Sequence, residues 1–472
     1  MPLTSTHWGT YEVATEKGRV TGLTPFAADP NPSLIGSSLP ELLDHPTRIR
    51  RPAVRRGWLD HGPGPADGAR GSDPFVEIGW DEAERLVAAE LERVRTEHGN
   101  SAIYAGSYGW ASAGRFHHAQ SQIHRFLNCI GGYTRSVNTY SYAAAEVIVP
   151  HVLGSFTRLL PQHTSWTNLA AHCELFVAFG GLALGNGQMA NGGTGRHIQR
   201  EGYEAAVAAG VEFINISPRE LDLEAPAPPR TIQLRPGSDT ALILALCRTL
   251  RAEGLADERF LARYTVGYDR FAAYLDGETD GICKDAHWAS GLTGVPEAEI
   301  VSLARRMASK RTMVSISWSL TRQQYGEQPF WAAISLAAML GQIGTPGGGI
   351  GFGYAIANYV GHNVDPMPYA ALPQGRNSVS DFIPVARVSD MLLTPGSSFD
   401  YNGGRYIYPD VRLVYWAGGN PFHHHQDLNR LQQAWQRPDT IIMHDWCWNA
   451  SAKRADIVLP CTTMLERTDI GM

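Results

Sequence analysis

The chain has 472 residues, enough for two or three domains with large buried cores. It is 43% hydrophobic and 18% charged with a formal net charge of −6, and it carries no long basic run, which excludes a polycationic nucleic-acid surface. No basic-then-apolar leader opens the chain, its most apolar run (Phe330 to Gly344) is too short to span a bilayer, and its six cysteines form no C-x-x-C pair; a soluble cytoplasmic protein without a zinc ribbon, iron–sulfur run or disulfide framework is expected.

Residues 1 to about 75 are rich in Gly, Pro and short polar stretches and read as short strands and loops. From Asp81 to His98, Ala83, Leu86, Val87, Leu91 and Val94 recur at the spacing of one helix face. A short apolar run, Ala102 to Ala105, enters Gly106-Ser-Tyr-Gly-Trp110. A second helix is expected to turn Phe116, Ile123, Phe126, Leu127 and Ile130 inward and to stop at Gly131-Gly132. Glu174 to Phe179 reads as a buried strand running into a glycine-rich segment, Gly180 to Gly195. A helix over His197 to Ala209 and strands over Val211 to Ser217 and Thr231 to Leu234 follow. Ser238 and Asp239 are placed to cap the helix through Leu242, Leu246 and Leu250, and Pro296 sits at the first turn of the next. Thr312 to Trp318 is a strand and Trp331 to Ile343 a buried helix. Val411 to Trp416 leads into Gly418-Gly-Asn-Pro, a helix near Leu428 to Trp435, and the strand Thr440 to Met443.

Strand, glycine-rich loop and helix, repeated, predict an α/β fold with parallel sheets covered by helices on both faces. In such sheets ligands bind at the carboxyl ends of the strands. No loop fits G-x-G-x-x-G with a following acidic residue, so a plain NAD-binding unit is not supported. The cysteines mostly read as small buried hydrophobes.

Four segments concentrate Gly, aromatic, His and Asn residues at strand ends: Ala105-Gly-Ser-Tyr-Gly-Trp110, Asn138-Thr-Tyr-Ser-Tyr142, Trp416-Ala-Gly-Gly-Asn-Pro-Phe-His-His-His-Gln-Asp427, and His444-Asp445 with Lys453, Asp456 and Leu459-Pro-Cys-Thr-Thr463 beyond. Taken singly each has a plain structural reading. Tyr108 and Trp110 are rings that pack, Ser141 is a helix N-cap, and the acidic residues are caps. A zinc site on His423, His424 and His425 is disfavoured, because adjacent side chains on an extended chain point opposite ways.

The order and wording of these segments resemble the dimethyl sulfoxide (DMSO) reductase family of molybdenum enzymes, nearest its biotin sulfoxide and trimethylamine N-oxide reductase branch. The likeness runs from Gly106-Ser-Tyr-Gly-Trp110 through Tyr140-Ser141 and Pro150-His-Val-Leu-Gly154. It continues through Arg235-Pro-Gly-Ser-Asp239, Met339-Leu-Gly-Gln-Ile-Gly-Thr-Pro-Gly-Gly-Gly349 and Tyr415-Trp-Ala-Gly-Gly-Asn-Pro-Phe422 to Ala455-Asp-Ile-Val-Leu-Pro460 and Glu466-Arg-Thr-Asp469. It therefore covers almost the whole chain. Departures from the family pattern fall at Gly180-Gly-Leu-Ala-Leu-Gly-Asn186, at Asn138-Thr-Tyr140 with Tyr142-Ala143 on either side of Ser141, and at Thr321.

The resemblance implies a bis(molybdopterin guanine dinucleotide) cofactor whose molybdenum is bound by Ser141; oxygen ligation by serine suits the oxidised ion. It implies that Tyr108 and Trp110 hydrogen-bond the oxo group or the substrate oxygen. Trp110, Ser217, Asp239, Trp318, Arg322, Gly419, Asn420, His424, Asp445 and Asp456 are the expected cofactor contacts. The implied reaction reduces an S- or N-oxide (biotin or methionine sulfoxide, DMSO, trimethylamine N-oxide) to sulfide or amine plus water. Electrons come from an external donor: a small redox protein, a quinol-linked cytochrome or NADPH. The alternatives are another reaction of the same cofactor (dehydrogenase, hydroxylase or hydroxyl transfer) and an inactive remnant. The expected layout is several doubly wound, Rossmann-like units: a β-rich segment over 1–50, a molybdenum-binding unit over 51–160 completed by 351–472, and a dinucleotide-binding unit over 161–350. The β-barrel-like domain that ends family members is expected to be missing, as in a truncated product.

Overall fold

A computed structural model of the chain describes residues 2–109, 113–193, 195–219, 229–362 and 371–470. Two mainly parallel sheets organise it. The smaller has five parallel strands in the order Arg230–Ile232, Glu212–Ile216, Leu175–Phe179, Thr312–Ile316, Gly349–Phe352. Its central strands, LFVAF and TMVSI, are buried at every position, as expected of strands covered by helices on both faces. The larger has eight strands in the order Phe382–Pro384, Thr134–Val137, Ile103–Gly106, Leu413–Ala417, Thr440–Asp445, Ile457–Pro460, Ala53–Arg55, Phe75–Glu77. The first six run parallel and the last two are antiparallel at the edge. Along Leu413–Ala417 the side chains alternate between two cores. Leu413, Tyr415 and Ala417 face the one that holds Val87, Leu91 and Val94 of the helix Trp80–His98, and Val414 and Trp416 face the other.

Each sheet has a switch point. In the smaller, the chain leaves Leu175–Phe179 towards Glu212–Ile216 on one side, whereas Thr312–Ile316 leads to Gly349–Phe352 on the other. In the larger, Ile103–Gly106 leads outward to Thr134–Val137, and Leu413–Ala417 leads the opposite way to Thr440–Asp445. Loops that diverge between neighbouring parallel strands leave a crevice at their carboxyl ends. The expected α/β class with parallel sheets is what the structure contains, and the β-rich start is a three-stranded antiparallel meander, Leu3–Thr6, Gly9–Glu16 and Arg19–Pro25. Among the described residues no helix is long and apolar enough to cross a membrane.

Several local expectations are corrected. Phe116 precedes the helix Ala119–Cys129 and is 39% exposed, and Phe126 on it is 41% exposed, because the apolar face is narrowed to Ile123 and Leu127. Ser238 occupies the N-cap of Asp239–Ala252, but its hydroxyl donates back to the Arg235 carbonyl and caps nothing. Trp331 is 48% exposed on the mostly buried helix Glu327–Met339. Of the six cysteines, all free, only Cys173 and Cys247 are buried.

Candidate active site

Tyr108 follows the strand Ile103–Gly106, and Gly418-Gly419-Asn420 follows its neighbour Leu413–Ala417, so the two loops flank the switch point of the larger sheet. They touch directly: the Tyr108 amide donates to the Gly418 carbonyl at 3.1 Å. Gly419 has φ +79°, and a Cβ there would lie 2.5 Å from Tyr108 Cβ, so only glycine admits the ring. Asn420 starts the short helix Pro421–His424, and its Oδ1 accepts from the buried Ser451 hydroxyl at 2.5 Å.

Ser141 enters from the next strand out, Thr134–Val137. Asn138 turns the chain with φ +63° and is tied to Glu146 and to the Tyr401 hydroxyl. The backbone amide of Ser141 is held by Thr139 Oγ1 at 2.8 Å. The reading of Ser141 as a helix cap is overturned. The helix is Ala143–Leu153, its N-cap position is Tyr142, and no side chain caps it. Among the described residues nothing hydrogen-bonds Ser141 Oγ, which leaves a partly buried hydroxyl uncommitted at the carboxyl edge of the sheet.

Beside Ser141 lies a set of hydrogen bonds that sequence reading missed. His425 is 7% exposed and stands between two tyrosines, with Nε2 at 2.9 Å from the Tyr108 hydroxyl and Nδ1 at 2.8 Å from the Tyr140 hydroxyl. Burial, and then the neighbouring His424, lowers the His425 pKa to about 4, and burial raises both tyrosines above their ordinary value. All three groups are therefore neutral at pH 7. The adjacency of Tyr140 to Ser141 was the only sequence signal. The other two histidines diverge: His424 sets its ring edge-on to Tyr108 at 4.9 Å between centroids, and His423 is exposed. Among the described residues no group of three or more His, Cys, Asp or Glu side chains is gathered to hold a metal, so the disfavoured zinc reading finds no support there.

The smaller sheet presents a parallel arrangement. Gly180 and Ser317-Trp318 follow the two strands at its switch point, and a Cβ on Gly180 would meet Ser317 Cβ at 2.8 Å. Trp318 is buried with its indole Nε1 unpartnered. Asp239, 2% exposed at the first turn of Asp239–Ala252, has an unpartnered Oδ1, and burial raises its carboxyl to about 6. Ser217 is buried at the carboxyl end of Glu212–Ile216, with its Oγ accepting from the Arg219 amide. The two edges meet where Arg322 Nε donates to the Tyr140 carbonyl at 2.9 Å and where Tyr142 packs edge-on to Trp318 at 4.7 Å.

The structure thus brings Tyr108, Ser141, Gly419, Asn420, His424 and Arg322 together, with Trp318 next to them and Ser217 and Asp239 further along the smaller sheet's carboxyl edge. Asp445 ends the strand Thr440–Asp445 on the larger sheet's carboxyl edge, where it accepts from the Trp446 and Cys447 amides and from Asn449. Asp456 is not brought to the site. It precedes Ile457–Pro460, at the amino end, and is fully buried with both oxygens taken by Arg55, Arg70 and the Ile441 amide. Trp110 lies outside the described residues.

Buried donors and acceptors without partners, such as Trp318 Nε1 and Asp239 Oδ1 near the carboxyl edge of the smaller sheet, are the feature a polar cofactor would satisfy. Residues 48–472 match the molybdopterin oxidoreductase family and residues 4–44 match the molybdopterin oxidoreductase N-terminal domain; the chain belongs to the molybdopterin oxidoreductases. That family works with molybdenum held by molybdopterin. A biotin sulfoxide reductase of Cereibacter sphaeroides is 47% identical over 450 residues, 95% of this chain and 60% of that protein. A dimethyl sulfoxide/trimethylamine N-oxide reductase of Rhodobacter capsulatus is 40% identical, covering 99% of this chain and 58% of the relative. A trimethylamine-N-oxide reductase of Haemophilus influenzae is 38% identical, with 100% and 58% covered. The chain spans about three-fifths of the length of these curated relatives. Among solved structures, acetylene hydratase from Pelobacter acetylenicus superimposes with a TM-score of 0.67 at 16% identity, over 99% of this chain and 64% of that one, which is a likeness of fold.

Proposed function

We propose that the whole protein reduces S- or N-oxides at a molybdenum ion bound through Ser141 Oγ, within a bis(molybdopterin guanine dinucleotide) cofactor. The observation that carries this reading is the uncommitted Ser141 hydroxyl at a switch-point crevice, next in the chain to Tyr140, whose ring stands edge-on to Tyr108. The names of the relatives support the substrate class. Two switch-point crevices, each with a glycine packed closely against the facing loop, Gly419 on Tyr108 and Gly180 on Ser317, support a cofactor with two pterin arms. Trp318 Nε1 and Asp239 Oδ1 are the donor and acceptor it would satisfy in the smaller sheet. Gly419, Asn420, His424 and Asp445 line the other arm, Arg322 stands at the junction of the two, and Ser217 lies further along the smaller sheet's edge on the nucleotide side. The reading keeps two units, 51–160 with 351–472 and 161–350, but the seams are shifted, because Ala145, Val149 and Phe156 and the stretch from Phe352 to Val360 pack with the smaller sheet. A cytoplasmic location accompanies this reading.

When bound, the cofactor supplies the two-electron couple and accepts the oxygen atom. The overall change takes one sulfoxide or amine N-oxide, two electrons and two protons to one sulfide or amine and one water, with an external reductant as the electron source. Tyr108 donates its hydroxyl to the oxide oxygen and so withdraws charge as the S–O or N–O bond breaks. Burial raises Asp239 to about 6, and a hydrogen-bond donor from the nucleotide would lower it again by favouring the carboxylate. The test is turnover of the molybdenum-loaded protein with a reduced viologen dye and three oxides: biotin sulfoxide, DMSO and trimethylamine N-oxide. Two dye molecules oxidised per product formed is the expected result. No turnover with any oxide, at full molybdenum occupancy, would refute the reading.

A further inference from the structure

His425 has a role that packing does not require. A neutral imidazole has one N–H and one lone pair, so its two contacts, to Tyr108 and Tyr140, cannot both be of one kind. Tyr140 has one O–H and three neighbours: His425 Nδ1 at 2.8 Å, Gln426 Oε1 at 2.9 Å and the Val385 carbonyl at 3.2 Å. The last two accept only. When Tyr140 donates to Gln426, His425 must present Nδ1–H to Tyr140 and take the Tyr108 proton at Nε2. The Tyr108 O–H then points away from the site. When Tyr140 instead donates to Nδ1, His425 donates Nε2–H to Tyr108, and the Tyr108 O–H is free to point into the site. The direction of hydrogen bonding along Tyr108, His425, Tyr140 and Gln426 is a two-state property of one chain.

We propose that His425 is a positioning residue whose tautomer sets whether Tyr108 donates into the site or away from it, with Tyr140 and Gln426 as its far end. Without an oxygen in the site, the protein's own acceptors at Gln426 and Val385 hold the outward direction. An oxide oxygen adds an acceptor at the other end and reverses it. The reversal conserves protons: Tyr108 passes its proton to Nε2, Nδ1 passes one to Tyr140, Tyr140 releases its own to water at its exposed contact with Gln426, and Tyr108 takes one back from water on the site side. The group stays uncharged before and after because His425 resists protonation in this burial.

This proposal rests on Tyr108 acting as the donor, so its test has one arm that needs no oxide reduction. In molybdenum-loaded protein carrying 15N-histidine, long-range proton–nitrogen spectra at pH 7 report the His425 tautomer, and the His425→Gln spectrum assigns its signals. The expected result is a neutral ring protonated at Nδ1, with the Nε2–H form rising in Gln426→Met; Gln426 is exposed, so that variant keeps the fold. A charged ring, or a tautomer indifferent to Gln426→Met, would overturn the proposal whatever the enzyme's activity. The kinetic arm compares His425→Gln with wild type on trimethylamine N-oxide. An amide of similar size fills the space but cannot pass a proton from one end to the other, so kcat falls by about 10- to 100-fold while KM stays within about threefold. Wild-type kcat in His425→Gln would equally overturn it. Absence of oxide turnover in the wild type would refute the functional reading and leave the tautomer result to decide this one.

Discussion

Asp239 and Asp456 are both buried aspartates beside strands, with opposite fates. Asp456 is saturated: Arg55 Nε at 2.7 Å, Arg70 at 2.6 Å, and the Ile441 amide at 2.8 Å. Both the Arg70 and Asp456 side chains have no exposure at all. Asp239 meets no cation among the described residues, and one oxygen is unpartnered. A sequence shows an acidic residue near a strand end in each case; the arginines that claim Asp456 lie 401 and 386 positions away, beyond any local pattern. Removing one member of a fully buried ion pair leaves the other charge stranded, so Asp456→Ala should cost about 3–5 kcal/mol of stability. Denaturant unfolding measures this, and a loss below about 1 kcal/mol would show that the arginines find water or other partners.

At the scale of elements, the loop after the strand Ile103–Gly106 is tied down from the far end of the described chain. Asp469 accepts from the backbone amides of Arg115 and Phe116 at Oδ1 and of His117 at Oδ2, with distances of 2.8–3.0 Å. Burial alone would raise this carboxyl; the amides of Phe116, Ile470, His117 and Arg115 outweigh it and hold Asp469 well below the ordinary carboxylate range. A depressed folded pKa gives an anchor present above the ordinary carboxylate value and lost only as pH falls through the depressed one. Amide exchange at 115–117 should therefore keep its protection between pH 8 and pH 5 in wild type, after correction for intrinsic rates, and lose it about tenfold or more in Asp469→Ala. Unchanged protection in that variant would assign the loop's order to packing instead. Sequence reading found the helix before this loop with good ends, Asp81 to His98 against the observed Trp80–His98, because its apolar face repeats locally. It missed short strands such as Thr134–Val137 and Phe382–Pro384, where four or fewer residues hold too little pattern to stand out.

At the scale of the molecule, the larger sheet joins Thr134–Val137 to Phe382–Pro384, with the whole smaller sheet falling between them in sequence. Repeated strand, glycine loop and helix foretold parallel sheets, yet it said nothing about which strands pair, because hydrophobic alternation is silent about partners. The candidate site was legible in the same uneven way. Tyr108, Ser141 and Gly419 stood out as residues in glycine- and aromatic-rich strand ends, and the structure gathers them at one crevice. His425, read only within a run of three histidines, gained meaning once Tyr108 and Tyr140 were seen on its two nitrogens. What unites both sheets is that their crevices open on one shared junction, where Arg322 reaches the Tyr140 carbonyl next to Ser141. The proposed function makes Ser141 Oγ the protein's bond to molybdenum there. The direct measurement is the molybdenum K-edge X-ray absorption of loaded wild type and Ser141→Cys. One oxygen scatterer replaced by sulfur in the variant is the predicted result, and identical spectra at equal molybdenum content would contradict it.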